Sequence, residues 1–197
     1  MRIPSAAECS QILASHGWVE HREPGRLNIL ILRRVPGTWD AFDDMIVQWR
    51  YAADGSIAKF QAARCTADPG KEAAAHPTRR DGTARWAVGQ ELDGLKLGLH
   101  HPDNPGAYPC LRPVRPLHVL RFSGLADDTG TPSVSDTVQI HHASATHESQ
   151  IVGAWSLACC VLPNPDDYDQ FLGEWDRQDK LGMHRFTVSC VERANDA

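Results

Sequence analysis

The sequence lacks the features that would place it in several large classes. No apolar run of about 18 residues occurs, so no transmembrane helix and no membrane insertion are expected. The first residues, MRIPSAAECSQILASHGW, hold no apolar stretch long enough for a secretory signal. The chain is therefore expected to stay in the compartment where it is made, the cytoplasm. No block of like charge and no basic stripe is present, and the formal net charge is −5. Neither nucleic acid nor an anionic membrane surface is then an expected partner. The six cysteines, Cys9, Cys65, Cys110, Cys159, Cys160 and Cys190, contain no CxxC pair. A chain of this size without an export signal is expected to keep them reduced. Cys159 and Cys160 are neighbours, and a disulfide between neighbours is strained, so at least one is expected as a free thiol. No internal repeat, low-complexity tract or linker divides the chain.

What is present suits a folded domain. Hydrophobic residues make up 42% of the 197 and charged residues 23%, enough apolar surface for a core and too little charge for global disorder. The length fits one domain over 1–197, with an N-terminal helical extension over 1–27 and a β-rich domain over 28–192. Ser5-Ala6-Ala7-Glu8 is a capping box, which predicts a helix over 5–16 ended by Gly17. Asn28–Leu32 is a short apolar run, read as a buried strand. Residues 44–51 and 57–65 flank Asp54-Gly55, a hairpin signature. Residues 66–82 read as loop. Strands are predicted at 83–89, 94–100 and 117–123. Prolines 102, 105, 109, 113 and 116 punctuate 101–116, which is read as irregular and unsuited to the centre of a sheet. Residues 124–135 read as another loop, followed by strands at 136–142 and 151–162. Asn164-Pro165 opens a helix to about 176, with Tyr168, Phe171, Leu172 and Trp175 spaced to face the core. A last strand closes the chain at 184–192. Many short strands with two or three short helices predict a mainly β, α+β domain, a β-sandwich or barrel.

Two segments carry the candidate chemistry. In Val138-Gln139-Ile140-His141-His142 a β run ends on histidines. In Val152–Val161 an apolar run carries Trp155, Ser156, Ala158, Cys159 and Cys160. Two adjacent strands joined by the polar loop 143–150 can bring His141 and Cys159 into contact. A thiol of ordinary pKa, about 8.5, is only a few per cent thiolate at neutral pH, and a neighbouring histidine raises that fraction. Small residues before the cysteine leave backbone N–H groups free to hold an oxyanion during acyl transfer.

These two segments resemble those of the L,D-transpeptidases, the YkuD-like cysteine enzymes of peptidoglycan. That family carries a histidine in an Ile-His-Gly-Thr-like strand end and, after a similar gap, a Ser-His-Gly-Cys segment. Ile140-His141 matches the first element and Ser156-x-x-Cys159 the second. The likeness is closer to a divergent phage and bacterial branch with an IniH-type strand, a VG-x-WSaGCQV-type segment and a following helix. Thr66–Gly70, Gly82-Thr83-Ala84 and Gly89-Gln90 also look like that branch, so the resemblance spans about 28–190. It implies a catalytic-like domain that acts on peptidoglycan stem peptides; separately, no metal and no cofactor are expected. Cys159 is implied as the acyl-accepting nucleophile, His141 as its base and Ser156 as an orienting or substrate-contacting group. Ala158, Cys160, Trp155 and His142 are then expected around the oxyanion and pocket. Lacking a signal, such a protein is expected to reach the wall by phage lysis or another non-classical route. The sequence departs from the transpeptidase motif at Leu157, Ala158, Cys160 and Val161, which leaves peptide-bond hydrolysis beside transpeptidation.

Other readings stand beside this one. A cysteine on an apolar strand is commonly a small core residue, and Cys160, facing the other way from Cys159, is expected to be one. His141 and His142 also read as hydrogen-bonded strand-end histidines, and Trp155 as core. Loss of the motif residues suits a non-catalytic binding or phage structural module. The histidines suggest a metal-dependent hydrolase through His100, His101, Cys110 and His118, or through His141, His142 and His147. Neither group has the spacing of a zinc motif. Asp43-Asp44 and Asp166-Asp167 read as turn and cap residues.

Overall fold

The computed structural model describes residues 2–127 and 129–194. In chain order the elements are α1 (Ala6–Ser15), β1 (Leu27–Val35), β2 (Asp44–Tyr51), β3 (Ile57–Cys65), α2 (Lys71–Ala75), β4 (Thr83–Trp86) and β5 (Gly89–His100). They continue with β6 (Tyr108–Pro113), β7 (Leu117–Phe122), β8 (Thr131–Ser135), β9 (Ile140–His142), a 3-10 turn (Gly153–Trp155), β10 (Cys160–Leu162), α3 (Pro165–Lys180) and β11 (Phe186–Ala194). The protein is mainly β, with 39% of the described residues in strands and 18% in helices.

Eight strands form one mixed sheet in the order β10-β9-β6-β5-β11-β1-β2-β3. β1 runs parallel to β11, and β9 parallel to β10; the other neighbours are antiparallel. The sheet curls until its two edges meet. Thr66, just beyond β3, and Val161 of β10 exchange both backbone hydrogen bonds, each 2.9 Å. β4, β7 and β8 form a separate three-stranded sheet in that order.

Strand alternation explains the two cores. On β1, Leu27, Ile29 and Ile31 point into the barrel, whereas Leu30 and Leu32 point outward. The inside is filled from α3 by Tyr168, Phe171 and Trp175, the helical spacing seen in the sequence. Trp175 Nε1 donates to Gln48 Oε1 at 2.8 Å, so its buried N–H is satisfied. The outside is covered by α1 through Cys9 and Leu13. Asn164 caps α3, accepting from the N–H groups of Asp166 (2.8 Å) and Asp167 (3.3 Å), and Pro165 follows at the first helical position.

Several expectations need correcting. The proline-rich stretch is not uniformly irregular, since β6 lies between β5 and β9. Val114 N–H bonds Gly94 O on the β5 side, so alternate residues Pro109 and Pro113 turn their nitrogens toward β9. β9 meets β6 only at Leu111↔Ile140, so neither proline leaves a ladder bond unmade. β8 lies within the stretch read as loop, and α2 within 66–82. The strand predicted over 151–162 reduces to Cys160–Leu162. Before it, Gly153 adopts φ +51° in the 3-10 turn.

Candidate functional site

A cavity of about 910 Å³ opens between the barrel and the small sheet. The barrel contributes His100 of β5, Tyr108 of β6, His141 and His142 of β9, and Cys159 just before β10. The small sheet contributes Thr83 and Ala84 of β4, Arg121 of β7 and Ser135 of β8. Approaching and along β9, Thr137, Gln139 and His141 line the cavity while Val138 and Ile140 enter the core. Period-two alternation therefore aims the histidine. His142, one residue on, also reaches the cavity at the strand's end.

The cysteine sits on a loop held from beneath. Gly153 N–H bonds Asp40 Oδ1 at 2.6 Å, and Val152 N–H bonds Asp40 O at 3.1 Å. Gly70 N–H bonds Ser156 O at 2.9 Å. Gly70 lies so close that a Cβ there would stand 1.8 Å from the Gly153 carbonyl oxygen. Ser156 is fully buried, does not line the cavity, and donates to Cys159 O at 2.9 Å, which closes the turn bearing the thiol. Of the six cysteines, five are buried and Cys159 is half-buried. Cys160 turns into the barrel core, and its N–H bonds Gln139 O at 2.8 Å. Trp155 and Leu157 are exposed on the cavity rim, and Ala158 lines it from a buried position.

His141 is 2% exposed. Its Nδ1 lies 2.7 Å from the His142 carbonyl and 3.1 Å from Tyr108 Oη. A carbonyl only accepts, so Nδ1 carries the proton and Nε2 is the basic nitrogen. The ring stacks on His100 at 4.2 Å between centroids. Burial, aided by the neighbouring His100, pulls the His141 pKa down to about 3. Burial pushes the Cys159 thiol up to about 12, against the opposing pull of the Gln139 backbone N–H. The resting pair is thus a thiol and a neutral imidazole, not the thiolate–imidazolium pair that a histidine neighbour would favour. Cys159 Sγ makes its hydrogen bond to Thr137 O, 3.8 Å, and no hydrogen bond joins it to His141.

His142 is also buried, stacking on Tyr108 at 3.9 Å and edge-on to Tyr168 at 4.8 Å. His100 Nδ1 meets Gln139 Oε1 at 2.8 Å. Among the described residues no group of three or more His, Cys, Asp or Glu is placed to hold a metal ion. Of the sequence-derived residues, Cys159, His141, His142, Trp155 and Ala158 share the cavity, whereas Ser156 and Cys160 lie behind it. Tyr108, Gln139, Arg79 and Arg121 join them without having been singled out. Alternation from His141 back through Gln139 to Thr137 was a usable signal for two of the lining residues. Comparison with protein-family models, curated proteins and solved structures yields no match to this chain.

Proposed function

We propose that the chain is a cysteine acyl-transfer enzyme directed at peptidoglycan stem peptides, acting as an L,D-transpeptidase or as a peptidase. One observation carries the reading: the least buried of six thiols and a neutral histidine with a free basic nitrogen line the same cavity. Cys159 Sγ attacks an amide carbonyl as its proton passes to His141 Nε2, and His141 returns that proton to the leaving amine. Water or a second amine then releases the acyl group from the sulfur. Because the Cys160 N–H is engaged by Gln139, oxyanion support falls to the N–H groups of Ala158 and Cys159. Ser156 acts as a positioning residue through its bond to the Cys159 carbonyl.

The test is incubation with a stem tetrapeptide and mass spectrometry of products and protein. Hydrolysis or transfer that vanishes in Cys159→Ala and falls at least a hundredfold in His141→Ala supports the reading. Full activity of Cys159→Ala overturns it. A second reading, a binding module on the same fold, is favoured by the missing Cys159–His141 hydrogen bond. It predicts peptide binding with no acyl-enzyme and no turnover.

A further inference from the structure

Among the described residues the cavity walls carry two arginines, four histidines and no aspartate or glutamate, in a chain whose net charge is −5. Other inward-lying arginines have carboxylates of their own. Arg33 meets Glu192 at 2.6 Å, Arg50 meets Glu174 at 2.8 Å, and Arg85 meets Asp68 at 2.5 Å. Arg121 differs. It is 6% exposed, and the hydrogen bond it makes runs from Nη1 to the Gly82 carbonyl at 3.3 Å; its buried Nε has none, as is true of Arg33 and Arg85, but those two keep a carboxylate within 2.6 Å and Arg121 does not. The nearest carboxylate, Asp81, stands 3.7 Å from that Nε and is already gripped by Arg79 at 2.8 Å and 3.3 Å. A guanidinium presents five donors in a fork shaped for a carboxylate, and leaving them unpaired when buried is costly.

We infer that Arg121 is an anion subsite, assisted by Arg79 at the cavity mouth, and that it receives a carboxylate borne by the peptide substrate. The inference rests on the acyl-transfer reading for the peptide class and on Arg121 alone for the charge. An arginine on the small sheet would fix the chain's register over a thiol carried by the barrel loop. Selectivity among stem peptides then depends on how the two sheets are set against each other.

Binding is measured by calorimetry on Cys159→Ala protein, so that no turnover intrudes. The probes are a stem tetrapeptide and its fully amidated counterpart, equal in length and lacking the anionic groups. The tetrapeptide is expected to bind at least tenfold more tightly. In Arg121→Gln the preference should shrink to within twofold, and Arg121→Lys should keep part of it. Equal binding of the two peptides by the Cys159→Ala parent overturns the inference whether or not the Arg121 variants fold. So does failure of the tetrapeptide to bind, or a preference that survives Arg121→Gln in a folded variant. Preference without turnover by the unsubstituted chain would sink the acyl-transfer reading and leave the subsite standing; turnover without preference would do the reverse.

Discussion

At the scale of single residues, burial outweighs pairing in the free site. With its pKa near 12, Cys159 carries a thiolate fraction on the order of one in 10⁵ at pH 7. Iodoacetamide should therefore label Cys159 slowly at neutral pH, with a rate that keeps climbing past pH 9 and no plateau near 7. The other five cysteines, all buried, should label only on unfolding. Residue-by-residue mass spectrometry over a pH series checks both statements; a plateau near pH 7 would mean that the ion pair forms at rest. The sequence allowed the contrast between Cys159 and Cys160 to be read, because neighbouring residues face opposite ways. The depressed basicity of His141 was not legible. It arises first from burial by walls that come from strands distant in sequence and then from His100 stacked on the ring.

At the scale of elements, the loop over 152–159 is shaped by what lies beneath it rather than by its own propensities. Gly70→Ala would drive a methyl group into the Gly153 carbonyl, a contact too short to survive without a shift of backbone. The displaced carbonyl belongs to the turn that leads into the Cys159 loop, so Cys159 labelling, and any turnover, should change before the thermal midpoint falls by more than a few degrees. Circular dichroism melting beside a kinetic assay separates the two effects; a large loss of Tm at unchanged activity would contradict this account. Elements with strong local signals were legible: the capping box of α1, the Asp54-Gly55 hairpin, and α3 with its Asn164 cap. Elements that rest on neighbours were not. β8 reads Thr-Pro-Ser-Val-Ser and has no apolar stripe, and it exists by pairing with β7. The apolar run before Cys160 looked like strand because the sequence does not show Gly70 and Asp40 bending it from below.

At the scale of the whole molecule, the buried histidines tie stability to pH. His141 titrates near 3 when folded and near 6.5 when unfolded. Between those values the unfolded chain holds a proton that the folded chain lacks, so stability falls as pH drops from about 6.5 toward 3. Burial shifts His100 and His142 in the same direction. Asp44, raised by burial and by Asp68, acts oppositely, because the folded chain holds its proton to higher pH than the unfolded one. Urea unfolding at pH 6 and pH 4 should thus show His141→Gln losing less stability on acidification than the parent, by about 1.4 kcal/mol per pH unit. Asp44→Asn should lose more; an unchanged slope in His141→Gln would refute the assignment. The mainly β architecture was legible from strand density, whereas the mixed parallel pairings and the meeting of the two sheet edges were not, since they join segments far apart in the chain. That meeting is made by two backbone hydrogen bonds between Thr66 and Val161, with the buried Cys65 and Cys160 side chains in contact beside them, and it falls at the foot of the loop bearing Cys159. The barrel therefore works like a collar fastened at one place, sewn to the same cloth as the Cys159 thiol. Undoing it would part β3 from β10 and slacken the cavity wall in one motion, so any loosening of the barrel at that seam also displaces the loop that carries Cys159.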